Sequence, residues 1–245
     1  YLAARYPGTS LSKPRKVECI LVTHGDADHF EGLTEIFKSE TNSEPRKRLF
    51  IEPKRVYHNG LVKRPGKDAQ GETIPEKESL GAITVVDGQT IITGLVDDLL
   101  DVADEEMNQP FKAWKKALTE WNGRSAIEMR RLSFGQNDVF DFPNESGLDV
   151  QVLGPIPFHS GNVDGLKFLG DPPTGPRVGH ESLDLDVEGF RGHSASHTIN
   201  GHSIVFRLRY HGFSYLFCGD LNDEAGRTLA QKHQQGEINL RSEVF

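Results

Sequence analysis

The segment Thr23-His24-Gly25-Asp26-Ala27-Asp28-His29 holds two imidazoles and two carboxylates within seven residues. Imidazole nitrogen and carboxylate oxygen are donor types that a divalent cation takes, and three or four must meet at one point to hold it. A loop at a strand end can turn alternate side chains the same way, so His24, Asp26 and Asp28 can converge. His29, in the first turn of a following helix, can face the same point. The competing reading is a solvated turn whose aspartate caps that helix. A second acid stands at Gly219-Asp220, directly after the run FSYLFC. Asn222 already supplies a cap for the next helix, which leaves Asp220 without a structural task, and Gly219 lets the backbone pass close to a neighbour. Histidine is also concentrated: five of the ten lie between His180 and His211. Two of these, His197 and His202, fall in SHTINGHS, which reads as a loop-to-strand junction.

Positioning elements surround these groups. VECILVT, residues 17–23, has the length and β-branched content of a buried strand. FEGLTEIFKSE places apolar residues at 30, 33, 36 and 37, a helical spacing. Strand, loop and helix in that order put the first motif at the carboxyl end of a strand, where α/β sites usually lie. HSIVFRLRY and FSYLFCGDL read as two strands joined by a hairpin at His211-Gly212, and Asn222 starts a helix that stops near Gly236. Between these ends, RLFIE and RVYHNG are short strand candidates. ITVV and QTIITGL flank the hairpin signal Asp87-Gly88, the stretch around FKAWKKALTEW is helical, and DVQVLGP alternates like a strand. Residues 156–195, rich in Gly and Pro, read as a long loop.

Composition narrows the class. The chain has 245 residues, 28 Lys and Arg against 36 Asp and Glu, a formal charge of −8, and 36% apolar residues. That apolar share is too high for a wholly disordered chain, and the acidic balance argues against a protein that wraps duplex DNA. No apolar run approaches the roughly 20 residues of a bilayer span. Cys19 and Cys218 sit in apolar strand-like runs and read as buried free thiols, compatible with a cytoplasmic location. Eight Lys or Arg residues between Arg46 and Lys67, with Arg130-Arg131, either meet a phosphate backbone or form a solvated insertion, the second being the simpler reading. Tyr57, Trp114 and Trp121 read as core rather than as base-stacking platforms.

A strand, then T-H-x-D-x-D-H, then a Gly-containing helix, and later a strand ending in Gly-Asp resembles the metallo-β-lactamase superfamily. Asp26 stands where the family's H-x-H-x-D-H has its second histidine. That substitution, and the phrase NGHSIVFRLRYHGFSYLFCGD, resemble the branch containing the metal-dependent domain of the competence protein ComEC and its soluble relatives. The matching motifs cover 17–39 and 196–236.

The resemblance implies an α/β fold: a single domain over 1–245, a four-layer αβ/βα sandwich, with a long irregular insertion within 41–195. It implies a pair of divalent ions, zinc or manganese. His24 and Asp26 would hold one ion, Asp28 and His29 the other, and Asp220 would bridge them. Asp28 would also orient the bridging water, a catalytic role. SHTINGHS resembles the family's G-H-T-P-G-H with one residue inserted, which favours His197 as a further ligand; His202 and Asn200 are the alternatives. The family's last histidine and its opening strands find no counterpart, so the chain reads as a fragment at both ends.

The chemistry implied is attack by a metal-activated water, with no protein nucleophile. Asp26 in place of imidazole makes the donor set harder and tilts it from zinc towards manganese. Phosphodiesters, as small molecules or nucleic acid, are the expected substrates. A small ester, thioester or lactone is the alternative within the same fold, and a non-catalytic binding module is the alternative to catalysis. No G-x-G-x-x-G or P-loop pattern supports a nucleotide binder.

Overall fold

The computed structural model describes residues 1–170 and 195–244. His180 and His193 lie outside the described residues, as does most of the stretch read as a long loop.

The first predicted strand is broken. Arg15–Val17 (β1) and Ile20–Leu21 (β2) are separated by Glu18 and Cys19, and run parallel to Ile51–Pro53 (β3) and Arg55–His58 (β4). Both pairings keep one register, with Arg15 against Ile51 and Ile20 against Val56. The break falls at an ionic group that belongs in water: Glu18 pairs with Lys54 (2.6 Å) and Arg55 (3.7 Å). Glu128–Arg131 (β7) extends the parallel sheet beyond β4.

The long amphipathic helices cover one face of that sheet. Ala27–Ser39 (α2) follows the motif loop. Gln109–Arg124 (α3) starts at Asn108, whose side chain accepts from Phe111 N, and buries Phe111, Trp114, Leu118 and Trp121 along one stripe. Phe30 of α2 stacks on Trp114 (4.8 Å between centroids), and Val22 and Val56 join the same core. Glu40, just past α2, accepts from Trp121 Nε1 (3.1 Å) and from both terminal nitrogens of Arg124 (3.0 and 2.7 Å). The three aromatic residues expected in the core, Tyr57, Trp114 and Trp121, are buried.

Alternation along β4 shows how the second sheet packs. Val56 faces the helices, whereas Tyr57 faces Val152 and Ile204 in a separate core. Leu148–Gly154 (β8), Val205–Tyr210 (β11) and Phe213–Phe217 (β12) form an antiparallel sheet in the order β12-β11-β8. Alternation continues there: Val152 and Phe206 face Tyr57, while Leu153 and Val205 pack with Leu229 of Asp223–Gln234 (α5). Both predicted hairpins form, with positive φ at Asp87-Gly88 and at His211-Gly212.

Ile83–Val86 (β5) and Gln89–Ile92 (β6) make the first of these hairpins. They join Phe158–Ser160 (β9) and Val163–Lys167 (β10) in a further, antiparallel sheet of order β5-β6-β10-β9. The last two strands correct the reading of 156–195 as loop throughout. SHTINGHS is likewise not a loop but contains the helix Ala195–Gly201 (α4). Its Ser, Thr, Asn and Gly are poor helix formers, and burial of Thr198 and Ile199 holds it instead. Within 41–195, β3, β4, α3, β7 and β8 belong to the two central sheets and their helical cover. Cys19 and Cys218 are free thiols, and burial pushes Cys19 up to about 12. Among the described residues no helix is long and apolar enough to cross a membrane.

Two buried imidazoles make the fold acid-sensitive. Burial pushes His58 and His202 down to about 4 from the ordinary 6.5. The unfolded chain therefore binds more protons between those values, and stability falls as pH drops through the window, by roughly 1 kcal/mol per pH unit for each ring. The melting temperature should fall between about pH 7 and about pH 5. Equal melting temperatures at the two ends would contradict the neutral, buried assignment.

Candidate metal centre

The motif loop leaves β2, passes Thr23 and enters α2 at Asp26. Asp26 holds the N-cap position, yet its carboxylate makes no cap bond. One oxygen pairs with the Lys63 ammonium. The Asn200 amide, with its nitrogen turned to the acid, donates to the other oxygen at 2.8 Å. The capping alternative therefore does not describe this aspartate. Gly25 is required by close packing: a Cβ there would lie 2.8 Å from both Ile199 Cδ1 and Phe111 Cζ.

Asp220 arrives from the far end of the chain. Gly219 takes φ +57°, and a Cβ there would meet Ser203 at 2.9 Å and Thr23 at 3.0 Å. The chain thus passes against the motif loop and delivers the Asp220 carboxylate to both imidazoles. Asp220 Oδ2 lies 3.2 Å from His29 Nε2 and 3.9 Å from His24 Nε2. Among the described residues, His24, His29 and Asp220 form the one group of three such side chains whose ligand atoms all lie within 4.8 Å of one another.

The opposite ring nitrogens are tied down. Thr23 Oγ1 lies 3.1 Å from His24 Nδ1 and 3.4 Å from His29 Nδ1. Ser203 Oγ lies 3.2 Å from His24 Nδ1 and accepts from the Asp220 backbone N at the same distance. For His24, the Asn200 nitrogen 3.3 Å from Nε2 fits the tautomer with Nδ1 protonated, whereas His29 Nε2 lies within hydrogen-bond distance of the acid. Burial holds His24 below its usual pKa, and the neighbouring His29 adds to the effect. Neutral imidazole is the form that ligates a metal. The Asp220 side chain is 49% exposed, so the group opens to solvent on the side of the acid.

The other expected ligands fall into two sets. Asp28 is 79% exposed and its Oδ2 stands 3.8 Å from His29 Nε2, at the rim. Asp26 reaches the cluster through Asn200. His197, the favoured further ligand, instead has Nε2 3.8 Å from Glu224 Oε2, and its carbonyl accepts from Asn222 Nδ2 at 2.7 Å. His202 turns Nε2 to the Lys167 carbonyl at 2.7 Å, on the wall of a 330 Å³ cavity that includes none of His24, His29 and Asp220. Of the candidates from SHTINGHS, Asn200 has a polar contact to the cluster, at His24 Nε2. One turn of α4 separates these side chains by direction, which a loop reading of the segment does not reveal.

Thr23 and Ser203 stand in the quoted motifs with no role assigned to them by sequence, and Lys63 is not singled out. Thr23 precedes the motif and Ser203 follows His202, so adjacency was a signal for both. Lys63 stood among eight basic residues. Arg46 and Lys47 pair with Glu44, Lys54 and Arg55 with Glu18, and Arg64 with Glu106. These carboxylates neutralise much of the run, but it passes through β3 and β4 of the parallel sheets and so is not a solvated insertion. Ser203→Ala is expected to weaken divalent-ion binding by about 10- to 100-fold, as loss of an outer partner does, and to cost about 1 kcal/mol of folding free energy for the buried hydroxyl's hydrogen bonds. Competition with a chromophoric chelator measures the binding, and an unchanged affinity would contradict the positioning role.

No protein-family model, no curated protein and no solved structure matches this chain.

Proposed function

We propose that this chain is a metal-dependent hydrolase of phosphodiesters. The observation that carries the reading is the meeting of His24 and His29 with Asp220, 191 residues beyond His29 in sequence. Two imidazoles and one carboxylate, with a fourth side open, match the donor set of a hydrolytic zinc site. A cation held there supplies a water of lowered pKa and a Lewis acid for the scissile group. The chain's own residues do the rest. Thr23 and Ser203 fix both imidazoles by Nδ1, Asp220 carries the negative charge on the open side, and Asp28 stands at the rim beside His29, able to accept a proton. Lys63 and Asn200 hold Asp26 next to the cluster and leave an ammonium near the position of an anionic substrate.

The packing supports the four-layer part of the proposal. Helices α2 and α3 lie on the outer face of the β2-β4-β7 sheet, Tyr57 and Val152 meet between the sheets, and α5 lies beyond β8 and β11. The metal-dependent activity is tested by turnover of bis-p-nitrophenyl phosphate against a thioester, with zinc or manganese added. Faster metal-dependent cleavage of the phosphodiester is expected. Preference for the thioester would transfer the same centre to carbonyl substrates, and no turnover of either with bound metal would favour a binding module.

A further inference from the structure

We propose that Lys63 is the second cation of this centre, so that the chain holds one divalent ion instead of a pair; the inference rests on the metal reading above. The Lys63 ammonium pairs with one oxygen of Asp26 and lies 3.1 Å from Ser196 Oγ. Asn200 takes the other oxygen of Asp26 at 2.8 Å. Both oxygens of the acid that would complete a second ion site thus already accept from donors of the chain, one of them cationic. Lys63 is also held by its backbone, since its carbonyl accepts from Asn108 N (2.9 Å) at the start of α3. The backbone that carries the ammonium is therefore fixed to the start of α3.

Charge points the same way. The carboxylates of Asp26, Asp28 and Asp220 against the Lys63 ammonium leave two net negative charges beside the two imidazoles. One divalent ion neutralises that set. A second would add two positive charges beside an ammonium, and like charges so placed repel. Removing the ammonium leaves three negative charges and frees an oxygen of Asp26, which are the conditions a second ion needs.

The test is metal stoichiometry, read by native mass spectrometry and elemental analysis of the full chain titrated with zinc chloride. The wild-type chain is expected to bind one ion. Lys63→Met is expected to bind two, or to tighten the second ion by at least about 10-fold, the scale of an outer-partner effect. Lys63→Arg keeps the charge and should stay at one. Lys63→Gln removes the charge and keeps a donor for Asp26; it should tighten the second ion as Lys63→Met does, and it serves if Lys63→Met does not fold. Two ions in the wild-type chain, or unchanged stoichiometry and affinity in Lys63→Met and Lys63→Gln, would each overturn the assignment to Lys63. A wild-type chain that binds no zinc would instead overturn the metal reading and the inference with it.

Discussion

Asp220→Asn is expected to abolish metal-dependent hydrolysis and to weaken zinc binding by more than about 100-fold. The substitution keeps the shape of the side chain and replaces an anionic donor by a neutral amide. Asp220 is the only one of the three gathered donors that brings a charge, and it lies 3.2 Å from His29 Nε2 and 3.9 Å from His24 Nε2. Without it the two imidazoles remain, tied at Nδ1 by Thr23 and Ser203, and two neutral nitrogens hold a divalent ion poorly. Folding should be little affected, because the side chain is half exposed and the local turn is set by the Ser203 contact to the backbone N. Isothermal titration with zinc and the melting temperature of the ion-free protein separate the two effects. Retained zinc affinity with lost activity would move Asp220 from ligand to proton carrier, against the account.

Trp114→Ala is expected to cost about 3–5 kcal/mol of folding free energy, a large part of the about 5–15 kcal/mol that a domain has. Trp114 is 1% exposed and packs against Phe30 of α2 and Phe111 of its own helix, so its loss leaves a cavity where α2 meets α3. One term offsets part of the loss: the indole Nε1–H of Trp114 is buried with no hydrogen-bond partner among the described residues. Trp114→Phe removes that donor while keeping an aromatic ring, and should cost clearly less than Trp114→Ala. Urea denaturation at constant m-value reads both. The effect reaches the centre as well, since α2 carries His29 in its first turn. Equal midpoints for Trp114→Ala and wild type would contradict the packing described.

Local signals in the sequence were strong where the chemistry is local. Asp87-Gly88 and His211-Gly212 demand positive φ and made their hairpins, and Asn222 caps α5 through its contact with Ala225 N. The helical spacing of Phe30, Leu33, Ile36 and Phe37 gave α2, and the donor types in the motif loop gave His24 and His29. Long-range features were weaker. The break at Glu18 depends on Lys54 and Arg55, which pair with it from another strand. Helix α4 has little intrinsic propensity and exists because Thr198 and Ile199 are buried, so a pattern reading took it for loop. Strands β9 and β10 are short, turn at Gly161 and take their partner from β6, more than 60 residues earlier. The roles of Asp26, Lys63 and Asn200 follow from which side chains converge on one acid, and adjacency in sequence carries no record of that convergence.

Anomalous diffraction at the zinc edge, from crystals grown with zinc, tests the central claim most directly. The account predicts a peak about 2.0–2.2 Å from His24 Nε2, His29 Nε2 and an Asp220 carboxylate oxygen. A peak on other side chains, or none at these three in zinc-saturated protein, would contradict it.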